Sequence, residues 1–487
     1  MPFEMIVTKA QKWQSGAMTQ AVQMPLWLLI LLLCFALFAA LERIMIPSVR
    51  WYFRRRLEKV VARLNQNLER PIQPFKLARR YDMIQRLIYD PQVSQAIADH
   101  ANATGVPERI VFGEAKRYAQ EIVPSFSAST YFGIAIRLAR FISTALYRVR
   151  LGHYDEAELK NIDPKAAVIF VMNHRSNADY LLVTYLAAER SALSYAVGEW
   201  ARVWPLSRLI RAMGAYFVRR KSRNDLYRKV LARYVRLATD AGVTQAMFPE
   251  GGLSLTGALM PPKMGLLKYL TDDFDPEQRD IVFVPVALNY DRVLEDSILT
   301  AAGKKETRRF HTGIGVVAGK VAKQFWLRMT GRYHKFGYAA VSFGLPVSLK
   351  KFSAGVEGDV TVPLAQALME SIGDIVPILP VPAVCWLVST NGPMTQAEVE
   401  KGMRQMSVDL PQAHMHLPRD DSAYAAEVGL RNMVERKVLT VADGEYAANP
   451  DNIGLLTYYA NSIRHLMPGQ DPGDSATAKE ISATAGS

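Results

Sequence analysis

The chain has 487 residues, 49% of them hydrophobic and 22% charged, a balance that argues against global disorder and supplies one large core or two smaller ones. Fifty-nine Lys and Arg against 46 Asp and Glu give a net charge of +13, which favours an anionic partner: a membrane surface, nucleic acid or a phosphorylated substrate. The two cysteines, Cys34 and Cys385, with no CxxC pair and no His cluster at ligand spacing, argue against a disulfide framework and a structural zinc; the chain reads as reduced and cytosolic over most of its length.

Met24 to Leu41 carries no charge. As a helix it extends about 27 Å at ~1.5 Å per residue, close to the ~30 Å hydrocarbon thickness, and predicts a transmembrane anchor over 24–46. Arg43, Arg50, Arg54, Arg55, Arg56, Lys59 and Arg63 follow it, against Lys9 and Lys12 before it. The positive-inside bias makes this a single-pass anchor with the body of the protein in the cytoplasm. Phe53, Leu57, Val60, Val61, Leu64 and Leu68 then recur at helical spacing, either along an anionic leaflet or in a packed helix with a solvated basic face.

Residues 50–160 read as a helical N-terminal region, with breaks at Asp90-Pro91, Ala103-Thr104-Gly105 and Pro124-Ser125. From 161 to 352 strands and helices alternate. Strands are expected at 166–172, 195–197, 215–218, 244–248 and 281–288, with helices near 178–189, 200–213, 224–239 and 263–270. That alternation predicts an α/β fold, a mixed or mostly parallel sheet with flanking helices, whose motifs converge at one sheet edge. Residues 353–467 read as a C-terminal helical region. Its apolar stretch from Asp374 to Ser389 is interrupted by Pro377, Pro380 and Pro382, which argues against a second span. Residues 468–487 have the composition of a disordered tail.

The chemistry-bearing residues sit at strand ends. In Met172-Asn173-His174-Arg175-Ser176-Asn177-Ala178-Asp179-Tyr180 an imidazole and a carboxylate share one strand-to-helix turn. His174 has the residue type of a general base for an alcohol, and Asp179 can fix its tautomer, steady the imidazolium and cap the helix that begins there. Read alone, the pair is better explained as a His capping the turn and an Asp capping the next helix. Arg219, Arg220, Lys221 and Arg223 follow a short strand, either as a phosphate clamp or as a solvated helix start. Glu250-Gly251-Gly252 ends another strand in a turn where backbone N–H groups can approach a ligand and the carboxylate can hold a hydroxyl. Pro285, inside Val282 to Leu288, implies an edge strand or a bulge.

These segments, in the order His-Arg-Ser-x-x-Asp-Tyr, Gly-Ala-x-Phe-x-Arg-Arg, Phe-Pro-Glu-Gly-Gly and Val-Phe-Val-Pro-Val, resemble the four blocks of the glycerolipid acyltransferases. The form is closest to the bacterial membrane glycerol-3-phosphate acyltransferases. The resemblance implies acyl transfer from acyl-CoA or acyl carrier protein, as co-substrate and with no cofactor or metal, to the sn-1 hydroxyl of glycerol-3-phosphate at a bacterial inner membrane. His174 and Asp179 would be catalytic. Arg175, Arg219, Arg220, Glu250, Gly251, Gly252, Lys263 and Pro285 would bind substrate. The chain departs from the family at Leu253 and Leu255, where Arg-x-Arg is common. That change keeps lysophosphatidate or another lysolipid open as the acceptor, with a non-catalytic lipid- or acyl-carrier-binding protein as the contrasting class.

Two further signals carry no expectation of function. Gly313 to Lys320 has the wrong spacing for a phosphate-binding Walker loop. The basic charge is unaccompanied by any nucleic-acid-binding motif, so no nucleic-acid partner is expected.

Overall fold

The computed structural model describes residues 25–41, 46–187, 191–198, 202, 206–219, 224–304, 319, 336–410 and 415–467. Arg220, the Gly313–Lys320 segment apart from Gly319, and the 468–487 tail lie outside them. Two compact units are present, Met1–Gln66 and Asn67–Ser487.

In the first unit, helix α1 (Leu26–Ala40) is apolar throughout, and Leu26, Trp27, Phe35 and Phe38 are all exposed. Among the described residues no helix is long and apolar enough to cross a membrane. Of the expected span over 24–46, the described residues contain a 15-residue apolar helix, about 22 Å long at ~1.5 Å per residue. Met24 and residues 42–45 are outside the described set. Helix α2 (Ile46–Asn67) carries the basic stretch, and the Arg55 guanidinium lies 4.3 Å from the Trp51 ring centroid.

The second unit begins with helices α3 (Arg80–Ile88), α4 (Pro91–Thr104), α5 (Glu108–Ile122) and α6 (Ile136–Leu146). The punctuation read from the sequence is the punctuation found. Asp90 caps α4 by accepting from Gln92 N at 3.0 Å, Pro91 takes the first helical position where no N–H is needed, and Gly105 ends the helix at φ 67°. The expectation of helix up to residue 160 fails at β1 (Arg148–Leu151), which joins the main sheet. Its Arg-Val-Arg-Leu alternation suits an edge strand with one face toward solvent.

The main sheet continues with β2 (Ala167–Met172), β3 (Ser194–Gly198), β4 (Tyr216–Val218), β5 (Gln245–Met247), β6 (Ile281–Tyr290), β7 (Tyr338–Phe343) and β8 (Val347–Ser348). Its order is β1-β7-β6-β2-β5-β3-β4, with β8 beside β6. All pairings are parallel except β6 with β7 and with β8. The mostly parallel α/β reading thus holds. β2 and β6 are buried along their entire length, as expected of strands covered on both faces. The connecting helices α7 (Asp179–Leu186), α8 (Leu206–Ala212), α9 (Asp225–Asp240) and α10 (Met264–Thr271) fall within the expected ranges to within a few residues, and α11 (Asp296–Lys304) follows β6.

Pro285 is not on an edge strand. β6 is interior, and Pro285 pairs with Val171 on one side. On the other it falls where the antiparallel partner changes from β8 at residues 282–283 to β7 from 286 onward. A residue without an N–H is tolerated in that gap, and its carbonyl still accepts from Gly344 N at 2.8 Å.

Beyond the sheet lie α12 (Thr361–Asp374), α13 (Pro380–Asn391), α14 (Gln396–Asp409), α15 (Ser422–Glu435) and α16 (Ile453–Asn461), with a three-stranded sheet of β9 (Met394–Thr395), β10 (Leu439–Ala442) and β11 (Glu445–Ala448). The prolines of 374–389 fit because Pro380 and Pro382 occupy the first turn of α13, where helix N–H groups have no partner anyway. One continuous core joins this region to the sheet, including Val284, Leu368, Val384 and Leu456.

Candidate active site

Because β2, β5, β3 and β4 run parallel, their carboxyl ends share one edge, and the loops leaving β2 and β5 meet there. Asn173 prolongs the β2 ladder by one side-chain rung. Its Nδ2 donates to Leu288 O at 3.0 Å and its Oδ1 accepts from Leu288 N at 2.8 Å. This fixes His174 at the strand end. His174 Nδ1 lies 2.9 Å from Asp179 Oδ2, and both residues are almost fully buried. A carboxylate can only accept, so Nδ1 carries the hydrogen and Nε2 is the ring's proton acceptor. The imidazole is stacked on Phe248 at 4.0 Å and met edge-on by Tyr180 at 5.7 Å, so its plane is set by packing as well as by hydrogen bonding.

Asp179 does more for the turn before it than for the helix after it. Oδ2 also accepts from Arg175 N at 2.8 Å and Ser176 N at 3.0 Å, and Oδ1 accepts from Tyr290 Oη at 2.6 Å. The expected capping role is corrected accordingly: the carboxylate faces back over the 174–176 backbone, and the Ser176 hydroxyl accepts from Ala178 N instead. Glu295 buttresses the same loop, accepting from Ser176 Oγ at 2.7 Å and from Asn177 N and Nδ2. Burial pushes its carboxyl above the ordinary range.

The third block closes on the first. Glu250 Oε1 accepts from His174 N at 3.2 Å, and Ser254 N donates to His174 O at 3.3 Å. Burial pushes Glu250 up to about 8, opposed by hydrogen bonds from the His174 and Met260 backbones and by the Arg175 charge. Of the two glycines, Gly251 adopts the left-handed conformation (φ 67°), and Lys263 crosses directly over it: a Cβ at Gly251 would sit 2.7 Å from Lys263 Cδ. Lys263 N also donates to Pro249 O at 2.8 Å. Glu250, Gly251, Gly252 and Lys263 therefore belong to one turn beside the dyad. Leu253 and Leu255 are half-buried against the core.

Residues 154–289 match the family described as Acyltransferase. This segment of the chain is similar to that family. A protein named glycerol-3-phosphate acyltransferase from Pseudoalteromonas atlantica is 26% identical over 84% of this chain and 52% of its own length. One of the same name from Pseudomonas fluorescens is 33% identical over 59% of this chain and 33% of its own. The chain spans a third to about half the length of these curated relatives. The crystal structure of a 1-acyl-sn-glycerophosphate acyltransferase from Thermotoga maritima covers 50% of this chain, and the match covers 76% of that chain, at 18% identity and a TM-score of 0.31.

Within the matched segment, Arg219 follows β4 at the same sheet edge as the dyad, three strand spacings from β2, or roughly 14 Å at ~4.8 Å per strand. Its guanidinium is engaged by Glu121 in a two-pronged pair, Nε to Oε1 at 2.8 Å and Nη2 to Oε2 at 2.6 Å, and is flanked by the Tyr118 and Tyr227 rings. Arg202 shares the same carboxylate. Pro285 pairs with Val171 in the sheet interior, and its carbonyl is taken by Gly344. Among the described residues no group of three or more His, Cys, Asp or Glu is arranged to hold a metal ion.

Sequence reasoning missed Tyr290, Glu295 and Tyr458. Tyr290 shares a strand face with Val286 and Leu288, so its alternation was readable but its bond to Asp179 was not. Glu295 lies 119 residues from Ser176, and Tyr458 places its ring 5.2 Å from the Arg175 guanidinium across nearly 300 residues of chain, with no local signal for either.

Proposed function

We propose that this chain transfers an acyl group from a thioester, acyl-CoA or acyl carrier protein, to the sn-1 hydroxyl of glycerol-3-phosphate. The single observation that supports this best is the buried His174–Asp179 pair, Nδ1 to Oδ2 at 2.9 Å, at the convergent sheet edge. In the reaction His174 Nε2 takes the hydroxyl proton as the oxygen attacks the thioester carbonyl. Asp179 steadies the imidazolium, the tetrahedral intermediate expels the thiolate, and the proton passes from His174 to the departing sulfur. An ester replaces the thioester, with no acyl-enzyme and no external redox partner.

A second acceptor, lysophosphatidate or another lysolipid, is favoured by one observation: Leu253 and Leu255 present apolar, half-buried side chains where the family resemblance calls for arginines. The test is purified protein with labelled glycerol-3-phosphate or lysophosphatidate and each thioester, beside His174→Ala. Loss of the base lowers turnover by at least ~10²-fold. Equal inertness of both proteins with every donor and acceptor makes the chain a binding protein instead.

Attachment to the cytoplasmic side of a bacterial inner membrane belongs to the same reading. Its support is the exposed apolar side chains of α1 and the seven Arg and Lys that follow. Co-sedimentation with anionic vesicles tests it: Leu33→Arg with Leu37→Arg abolishes binding if α1 inserts and leaves it unchanged if α1 does not.

A further inference from the structure

Arg175 is 3% exposed, yet only part of its guanidinium is paired. Nη1 donates to Gly257 O, and the Tyr458 ring covers the group at 5.2 Å. Nε and Nη2 have no hydrogen-bond partner. Those two nitrogens point the same way in the guanidinium plane and form the edge that grips two oxygens of one phosphate or carboxylate. A buried donor left without a partner is destabilising, the more so when it carries charge. A fold that holds this edge in place is therefore arranged for an oxyanion.

Tyr458 supplies a third donor. Its hydroxyl is buried and unpartnered, and it belongs to α16, far beyond the 154–289 family segment. Two contacts fix α16 here. Asn461 Nδ2 donates to Thr256 O at 3.0 Å, and Gly257, at φ 87°, lies so close to the Tyr458 carbonyl that any Cβ would overlap it. The first block, the third-block loop and the C-terminal helix thus meet at Arg175, the residue after the base, where three buried N–H and O–H donors are unmet.

We propose that the Nε/Nη2 edge of Arg175, roofed by Tyr458, binds the phosphate monoester of the acyl acceptor. This rests on reading the dyad as an acyl-transfer site. It makes the C-terminal helix part of acceptor recognition, with Tyr458 a specificity-determining residue.

Titration calorimetry with the full chain carrying His174→Ala tests this without turnover, using glycerol-3-phosphate, inorganic phosphate, glycerol and coenzyme A. The expected result is binding of the two phosphates and not of glycerol. Arg175→Lys should weaken glycerol-3-phosphate at least tenfold and Tyr458→Phe several-fold, with coenzyme A affinity unchanged. Tyr458→Phe removes one oxygen and no packing, so it remains informative if Arg175→Lys fails to fold. Undiminished glycerol-3-phosphate binding in Tyr458→Phe, or loss of coenzyme A binding in its place, overturns the proposal. If the unsubstituted enzyme acylates glycerol-3-phosphate while Tyr458→Phe leaves its KM unchanged, this inference fails and the acyltransferase reading stands. If no phosphate-bearing acceptor is acylated, that reading fails, and the calorimetry still reports on the anion site.

Discussion

Tyr290 donates its hydroxyl hydrogen to Asp179 Oδ1 at 2.6 Å, while His174 Nδ1 meets the other carboxylate oxygen at 2.9 Å. Both oxygens of the orienting carboxylate are thus committed before any substrate arrives, and the imidazole is held by a group that is itself held. Tyr290→Phe leaves Oδ1 buried without that donor, a loss of about 1–3 kcal/mol. If half of this is felt in the transition state, kcat falls roughly two- to tenfold at ~1.4 kcal/mol per factor of ten. Steady-state kinetics should show that fall with both KM values nearly unchanged, and the pH–rate profile should move. An unaltered profile would assign Tyr290 to packing alone.

Glu250 makes folding stability depend on pH. Its folded value of about 8 lies above its ordinary 4.5 because the carboxyl is buried. The folded state therefore keeps a proton that the unfolded chain has released. Stability from this group is full below pH ~4.5, declines as pH rises, and is exhausted once pH passes about 8. Glu250→Gln does not titrate, so urea unfolding should show the variant gaining on the wild type across that window, by up to a few kcal/mol at ~1.4 kcal/mol per unit. A constant difference between pH 5 and 8 would contradict this.

Gly257→Ala should be among the most destabilising single-methyl additions in the chain. Its φ of 87° disfavours any side chain, and the new Cβ would overlap the Tyr458 carbonyl oxygen. A loss of about 2–4 kcal/mol is expected from strain and displacement of α16. Chemical denaturation measures it. Because α16 also carries Tyr458, the KM for glycerol-3-phosphate should rise in parallel.

Arg219 and Glu121 offer a choice between scaffold and ligand. Their two hydrogen bonds, at 2.8 and 2.6 Å, predict a coupling of about 1–2 kcal/mol in a double-mutant cycle of Arg219→Met and Glu121→Gln, read as unfolding free energy. The expected KM change for glycerol-3-phosphate in Arg219→Met is small. A tenfold rise in KM with no coupling would make Arg219 a substrate ligand.

The sequence by itself determined the strand-helix alternation, the helix punctuation at Asp90-Pro91 and Gly105, and the placement of His174 and Asp179 on one turn. Those signals are local: periodicity, caps and side-chain chemistry within a few residues. It also marked Pro380 and Pro382 as breaks in the apolar stretch, and both fall in the first turn of α13. Only the tertiary structure decided which groups serve the dyad. Tyr290 reaches Asp179 because β6 lies beside β2, Glu295 holds the 176–177 turn from 119 residues away, and α16 closes over Arg175. The same holds for Arg219, whose fork is met by Glu121 on a helix 98 residues earlier. Pairing between distant segments is fixed by how buried polar groups find partners once the sheet is assembled, and no spacing along the chain encodes that outcome.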